Sequence, residues 1–514
     1  MHSIRAPVCL QPFAFITLLT FVPFFLATRS ATLADSANPQ QPQRNSISSY
    51  AVTKTEKLMK VESDLKQVSA YADSVRAQYE ADLKSFVDIP SVSADPSLKG
   101  DIEKMAKLAV ARLKALGATA EILSSQGYPI VFGEFTAGKN YPTVTVYNHL
   151  DVQPADSNEW KTPPFSMAVD GDIYRGRGTT DDKGPALTVL YAAKYAHEHK
   201  LPINIKFIWE LEEESGSPSF QACIEKNREK LETDSVVVSD TIWVSRDRPA
   251  IPYGLRGLQG VYLKLKTGAK DVHSGTTGGL ARNPIGELCQ VISACYDAKT
   301  GHVNIPGFYD DVAKPTPYEI EHFQSSGFSL EDFKKAHELI SLRTNDAQDA
   351  SQRIWAQPTF EVHGITGGYT GPGLKTIVPH EGEAKISMRI VPKQDPDKIF
   401  KALQAFIQKL NPDVEVVKAG TLQPYLGEFS GPYNQAASQA MKVAFGKDAA
   451  FTREGGSIGA VVSMHEVFKT PIVFLGLSLP EHGYHAINEN FDWGQARGGI
   501  VMFVEYFKEL SALK

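Results

Sequence analysis

Cysteine is scarce in this chain: Cys9, Cys223, Cys289 and Cys295 are the four in 514 residues. So few exclude a disulfide framework. Cys289 and Cys295 lie six apart in one expected helix, on different faces, so they should not pair. With Cys223 they are expected to be buried apolar fillers. An excess of basic charge is also lacking. With 53 Lys and Arg against 59 Asp and Glu the net charge is −6, which leaves no cationic footprint for nucleic acid. Long apolar runs are lacking beyond one, residues 13–27. That run is 15 residues long and interrupted by Pro23, short of the roughly 20 needed to span a bilayer. Arg5 precedes it and Thr32-Leu33-Ala34 offers a small-residue cleavage site, so residues 1–34 read as a secretory signal. The expectation is an exported protein, periplasmic or secreted, with no stable membrane insertion once the signal is removed. Its loss takes two arginines and no acid, moving the net charge to −8. No internal repeat occurs, and the one biased tract, residues 35–50, rich in Ser, Asn, Gln and Pro, reads as a disordered linker.

What is present is ordinary soluble-protein material, 42% hydrophobic and 22% charged, in a chain long enough for two domains or more. A charged helical pattern runs from 52 to about 86 and another covers 102–116. Strands at 143–149, 203–211 and 235–239 then alternate with helices at 184–198 and 219–231. That alternation predicts a mostly parallel α/β sheet. After about Gly254 the rhythm changes. Strand 261–266, helix 284–298, strands 359–363 and 384–391, helix 396–410 and strand 414–417 follow the split ferredoxin-like order. Between them lies a polar excursion from about 301 to 357, in which Ser329 caps a helix reaching about 340. The α/β character resumes at 471–475 and closes with a helix near 498–513. The predicted organisation is a catalytic domain in two parts, 51–253 and 451–514, interrupted by an inserted domain over 254–450.

Five pieces carry chemistry. His149 and Asp151 stand two apart at a strand end, on one face, where an imidazole can ligate a metal and an acid can fix its tautomer. Gly176-Arg177-Gly178-Thr179-Thr180-Asp181-Asp182-Lys183-Gly184 is a glycine-rich approach to a helix start. Its acids would also suit the helix dipole alone. Glu212-Glu213-Glu214 ends an apolar strand, and adjacent carboxylates there resist desolvation unless a cation neutralises them. One glutamate can then ligate while its neighbour serves as a base. Asp240 ends the apolar run 236–239, and Glu481-His482-Gly483-Tyr484-His485 follows the strand at 471–475. Four of the five lie just past apolar strands, so they should converge on one edge of a parallel sheet. His, Asp, Glu, Asp and His suit two metal ions sharing a carboxylate, zinc foremost, with manganese or cobalt as alternatives.

On these motifs the chain resembles the di-zinc metallopeptidases that include glutamate carboxypeptidase, aminoacylase and succinyl-diaminopimelate desuccinylase, and within them the carnosinase and cytosolic non-specific dipeptidase branch. The resemblance begins near Asp88-Ile89-Pro90-Ser91-Val92-Ser93 and covers nearly all that follows. It implies His149, Asp181, Glu214, Asp240 and His485 as metal ligands, with Asp181 bridging. Gly483-Tyr484-His485-Ala486-Ile487-Asn488-Glu489 fits the family pattern and favours His485 over His482. By the same resemblance Glu213 is the general base and Asp151 orients His149. His273 would reach a partner subunit's site, and Arg389 would grip the substrate's terminal carboxylate. Thr376, with Gly456 and Ser457 in the Gly455-Gly456-Ser457 turn, would line the same subsite.

The expected activity is metal-dependent hydrolysis of short peptides, as a dipeptidase or carboxypeptidase-type exopeptidase. A water bridging two Zn2+ would be deprotonated by Glu213. The expected assembly is a homodimer formed through the insert, a ferredoxin-like α+β lid. An amidohydrolase of N-acyl amino acids is the alternative within the class. An exported solute-binding protein is the alternative outside it.

Overall fold

The structure, a computed structural model, describes residues 45–513, so the expected signal and most of the expected linker lie outside the described residues. No helix among the described residues is long and apolar enough to cross a membrane. The catalytic part is built on six strands in the order Thr119–Leu123, Ile130–Phe135, Asn204–Glu210, Thr143–His149, Ser235–Val238 and Ile472–Phe474. The last four run parallel, and the first two join antiparallel at one edge. The parallel strands are buried along almost their whole length, because helices cover both faces and leave no side for polar residues.

Alternate side chains feed the two faces. Val144, Val146 and Val237 pack with helices Lys99–Ala115, Lys183–Glu198 and Trp493–Ala512. Tyr147, Val236 and Val238 pack with helices Phe220–Lys226 and Gly459–Phe468. Helix Pro432–Phe445, expected inside the insert, contributes Ala436, Ala437, Ala440 and Met441 to the first of these cores. Its alanine-rich face is small enough to lie close against Trp493–Ala512, a packing with no local sequence signature.

The ferredoxin-like order is realised as a separate antiparallel sheet, Glu361–Gly367, Glu381–Ile390, Gly257–Lys266 and Glu415–Leu422. Helices Pro284–Cys295 and Pro396–Leu410 cover one face. Along Glu381–Ile390 the even positions Ala384, Ile386, Met388 and Ile390 are buried under those helices. Arg389 has the opposite parity and so belongs to the uncovered face. The excursion folds as three helices, Pro317–Ser325, Leu330–Ala336 and Ala347–Ala356, around a small aromatic core that includes Tyr253, Phe323 and Trp355. Ser329 does cap Leu330–Ala336, which stops four residues short of the expected end. All three cysteines of the folded part are free, and Cys223 and Cys295 are buried. Cys289 is exposed instead, because it sits on the solvent side of the amphipathic helix Pro284–Cys295.

Candidate active site

Register places the reactive residues level with one another. Tyr147 is paired with Val238, and His149 with Glu210, so His149, Asp240 and the Glu213–Ser215 turn all sit just past the carboxyl ends of the parallel strands. This is the edge at which open α/β sheets hold ligands. The glycine-rich loop is drawn to the same edge by Glu489. Its carboxylate accepts the backbone N–H groups of Gly178 (3.0 Å), Thr180 (2.9 Å) and Asp181 (3.1 Å), and Arg177 Nη1 donates to it at 2.8 Å. A side chain at Gly184 would meet the Thr179 carbonyl oxygen at 2.1 Å, so only glycine allows this loop to fold back onto its helix.

Asp181 stands between two imidazoles. His149 Nε2 lies 2.9 Å from its Oδ1, and His485 Nε2 lies 3.1 Å from its Oδ2. Two ligand clusters lie on either side, His149 with Asp182 and Asp240, and Asp181 with Glu214 and His485, each with donor atoms mutually within 4.8 Å. His482 turns away. It is buried against Asp492 (3.1 Å) and Thr180 (3.1 Å), so of the two loop histidines His485 is the one brought to the cluster. Asp182 joins the first cluster although only Asp181 was expected there. Asn148 donates to its Oδ2 at 2.7 Å.

Asp151 does more than face His149. Its carboxylate accepts the backbone N–H of Glu213 (3.1 Å) and of Glu214 (3.0 Å), which fixes the turn that presents both acids. His149 Nδ1 is closer to the Asp151 carbonyl oxygen (3.0 Å) than to its carboxylate (3.5 Å). Backbone and side chain of one residue thus share the orienting contact.

The electrostatics call for cations. Burial pushes the Glu213 and Asp182 carboxyls well above their usual range and Asp240 up to about 6, with neighbouring carboxylates adding to the shift. Burial opposes charge on His485, but hydrogen bonds to Asp181 and Glu214 outweigh it and raise the imidazole to about 11. The buried oxygens Asp182 Oδ1 and Glu214 Oε1 have no hydrogen-bond donor. Acceptor-only oxygens facing one another in a buried site fit metal ions, which satisfy them without donors.

The remaining expected residues divide. Arg389 Nη1 donates to Ser457 Oγ at 2.8 Å, and burial depresses its pKa against the opposing pull of Glu213. Arg256, unnoticed in the sequence, sits beside it. Its Nε donates to the Gly455 carbonyl (2.8 Å) and its backbone N–H to the Gly456 carbonyl (3.0 Å). Burial and then the Arg389 charge lower it to about 10. A cation inside a Gly-Leu-Arg-Gly strand crossing carries no local signal, so only the fold identifies it. His273 and Thr376 are not brought to this cluster. Both are exposed on the short ribbon of Val272–His273 against Ile377–Val378, where His273 Nδ1 accepts the Gly275 N–H and the Thr376 carbonyl accepts the Ser274 N–H.

Twin carboxylate–imidazole clusters around a shared aspartate, at a parallel-sheet edge with an unligated acid alongside, define a metal-dependent hydrolase. The sequence matches Peptidase family M20/M25/M40 over residues 145–509. It is 31% identical over 474 residues to the Beta-Ala-His dipeptidase of Homo sapiens, covering 87% of this chain and 93% of that one. Among solved structures it is similar to the di-peptidase Dug1p of Saccharomyces cerevisiae, with a TM-score of 0.79, 29% identity, and 87% and 98% of the two chains covered. The M20 family metallo-carboxypeptidase Sso-CP2 of Sulfolobus solfataricus aligns with a TM-score of 0.78 and 33% identity over 84% of this chain and 98% of that one. The chain belongs to peptidase family M20/M25/M40. That membership displaces the solute-binding alternative.

Proposed function

We propose that the protein hydrolyses dipeptides and similarly short peptides that end in a free carboxylate. The observation that carries the reading is Asp181 held between His149 and His485, with Glu213 beside them and Arg389 facing the same space. In this reading His149, Asp181 and Asp240 hold one ion, and Asp181, Glu214 and His485 hold the other, with Zn2+ the expected metal and Mn2+ or Co2+ the alternatives. When bound, such ions supply Lewis acidity for the scissile carbonyl and for water.

The chain's own residues do the rest. The raised pKa of Glu213 suits it to take the proton of the attacking water at its carboxylate and pass it to the leaving amine. Asp151 keeps Glu213 in place through its backbone N–H. Arg389, Ser457 and the Gly456 turn receive the substrate carboxylate, and Arg256 adds a second positive charge to that end. His273, with Thr376 on the same ribbon, completes the site of a partner subunit in a homodimer formed by the inserted lid, for which residues 254–450 remain the proposed span. Its exposure on the ribbon away from its own cluster supports that arrangement. Export rests on the signal-like residues 1–34 alone.

The test is a panel of dipeptides and N-acyl amino acids assayed after chelation and after return of zinc, manganese or cobalt. Activity on free dipeptides that disappears with chelation and returns with metal is expected. Full turnover by metal-free protein refutes the scheme. Turnover of N-acyl amino acids alone would favour the amidohydrolase alternative, since Arg389 serves either substrate.

A further inference from the structure

A cavity of about 710 Å³ lies between the helices of the excursion and the loop that carries His485. Its volume is that of a ligand pocket. One wall comes from the excursion and is apolar apart from His337 and Glu338. The Phe328 ring lies 5.6 Å from Trp355 and 5.5 Å from Phe333, and Ala336 and Ile354 line the same cavity. Gly455-Gly456 and Tyr484 also line the cavity, and a Cβ at Gly455 would lie 3.4 Å from Ile354 Cγ2. Both glycines and Tyr484 are residues of the site already described. The turn after Gly456 takes the Arg389 hydrogen bond at Ser457, and Tyr484 Oη donates to Asp240 Oδ1 at 2.9 Å. The cavity therefore borders the Gly455-Gly456 turn and, through Tyr484, neighbours Asp240.

Its charged neighbours are engaged or peripheral. Glu481 is paired with Arg246 at 3.0 Å, and Glu454 accepts the Gly455 N–H at 2.9 Å. Lys161 and Glu338 are exposed. His337, Thr452, Asn488 and Asn490 add polar lining, and the rest of the cavity is aromatic, aliphatic or glycine backbone.

We propose that this cavity receives the side chain of the substrate residue that bears the free carboxylate, and that it selects bulky apolar side chains there. The inference rests on the reading that Arg389 and Ser457 bind that carboxylate. Carboxylate and side chain leave the same Cα, so a carboxylate at Ser457 directs its side chain past Gly456, where no Cβ stands in the way. Moving an aromatic side chain from water onto Phe328, Phe333 and Trp355 should favour Ala-Phe over Ala-Gly by about 10- to 100-fold in kcat/KM.

The experiment compares wild type, Ala336→Trp and Phe333→Ala, all metal-loaded, on Ala-Gly, Ala-Ala, Ala-Leu and Ala-Phe, and on the reversed series Gly-Ala and Phe-Ala. Both positions are on the short helix Leu330–Ala336, outside the buried core. Wild-type kcat/KM should rise with the size of the C-terminal residue. Ala336→Trp, which fills the cavity, should lower Ala-Phe about tenfold or more and leave Ala-Gly within about twofold. Phe333→Ala should flatten the series. Equal effects on Ala-Gly and Ala-Phe, or a response confined to the reversed series, would overturn the assignment. Calorimetric binding of L-phenylalanine and of glycine is measured alongside. If no dipeptide is turned over, the peptidase reading fails by itself. Phenylalanine binding that Ala336→Trp abolishes would still support the subsite, and binding that it leaves unchanged would overturn it.

Discussion

Replacing the substrate's terminal carboxylate by an amide is the perturbation that isolates the work of Arg389. Its guanidinium stands on the uncovered face of the lid sheet, half-buried, with Ser457 Oγ as a neutral partner at 2.8 Å. Among the described residues no salt bridge to a carboxylate is made by Arg389 or by its neighbour Arg256. Two like charges are thus held together in a desolvated corner. Each lowers the cost of bringing an anion there. Leaving a buried charge without its partner costs about 2–5 kcal/mol, and the partial exposure of Arg389 places the expectation in the lower half of that range.

Amidation of Ala-Phe should therefore reduce kcat/KM by about 30-fold or more. Arg389→Ala should lose a similar factor on the free acid and hardly distinguish acid from amide. The assay is steady-state release of phenylalanine or its amide across the two enzymes and two substrates. A double-mutant comparison then yields the coupling between guanidinium and carboxylate. Equal cleavage of acid and amide by the wild type would refute the clamp. A variant that loses activity yet keeps full discrimination would transfer the role to Arg256.

Glu213→Gln should retain both metals by elemental analysis while kcat falls on the order of 10²-fold or more, the scale of a lost general base; loss of metal would exchange the roles of Glu213 and Glu214. Mixing His273→Ala with Glu213→Gln subunits should restore part of the activity, because one site in each heterodimer then has both residues, and no recovery after demonstrated subunit exchange refutes completion in trans. For Asp492, burial opposes ionisation, but hydrogen bonds from His482, the Gln495 N–H and Arg246 hold the carboxyl well below its usual range. Its folded pKa lies below the unfolded value of about 3.9, so its stabilisation is complete above that value and is lost as pH falls through the folded one. Asp492→Asn should lower the denaturant midpoint clearly more at pH 7 than at pH 2, whereas an equal deficit at both would refute the assignment.

Much of the catalytic edge was legible because each piece is local. A polar residue directly after a buried apolar run marks a strand end, and His149, the Glu212–Glu214 triplet and Asp240 all carry that mark. Period-two and longer apolar patterns likewise placed the parallel strands and the ferredoxin-like order of the lid, since these reflect which faces must be buried. Neither pattern extends to helix Pro432–Phe445. Its alanines have weak periodicity of their own, and only close packing on Trp493–Ala512 makes them core. Cys289 was expected inside for its residue type, yet helix phase decided its exposure.

What the amino-acid sequence determined by itself is the strand ends that carry His149, the Glu212–Glu214 triplet and Asp240, and the family to which the chain belongs. The tertiary structure decided the relations between side chains that no spacing encodes. It set His485 rather than His482 against Asp181, because Asp492 and Thr180 claim the other imidazole. It made Asp151 the holder of the Glu213 turn, brought Arg256 next to Arg389, and used the polar excursion to build an aromatic wall beside the Gly455-Gly456 turn. Each of these joins residues tens to hundreds of positions apart. Local chemistry is written in neighbouring residues, but distances across the chain exist only once the sheets and the lid have packed.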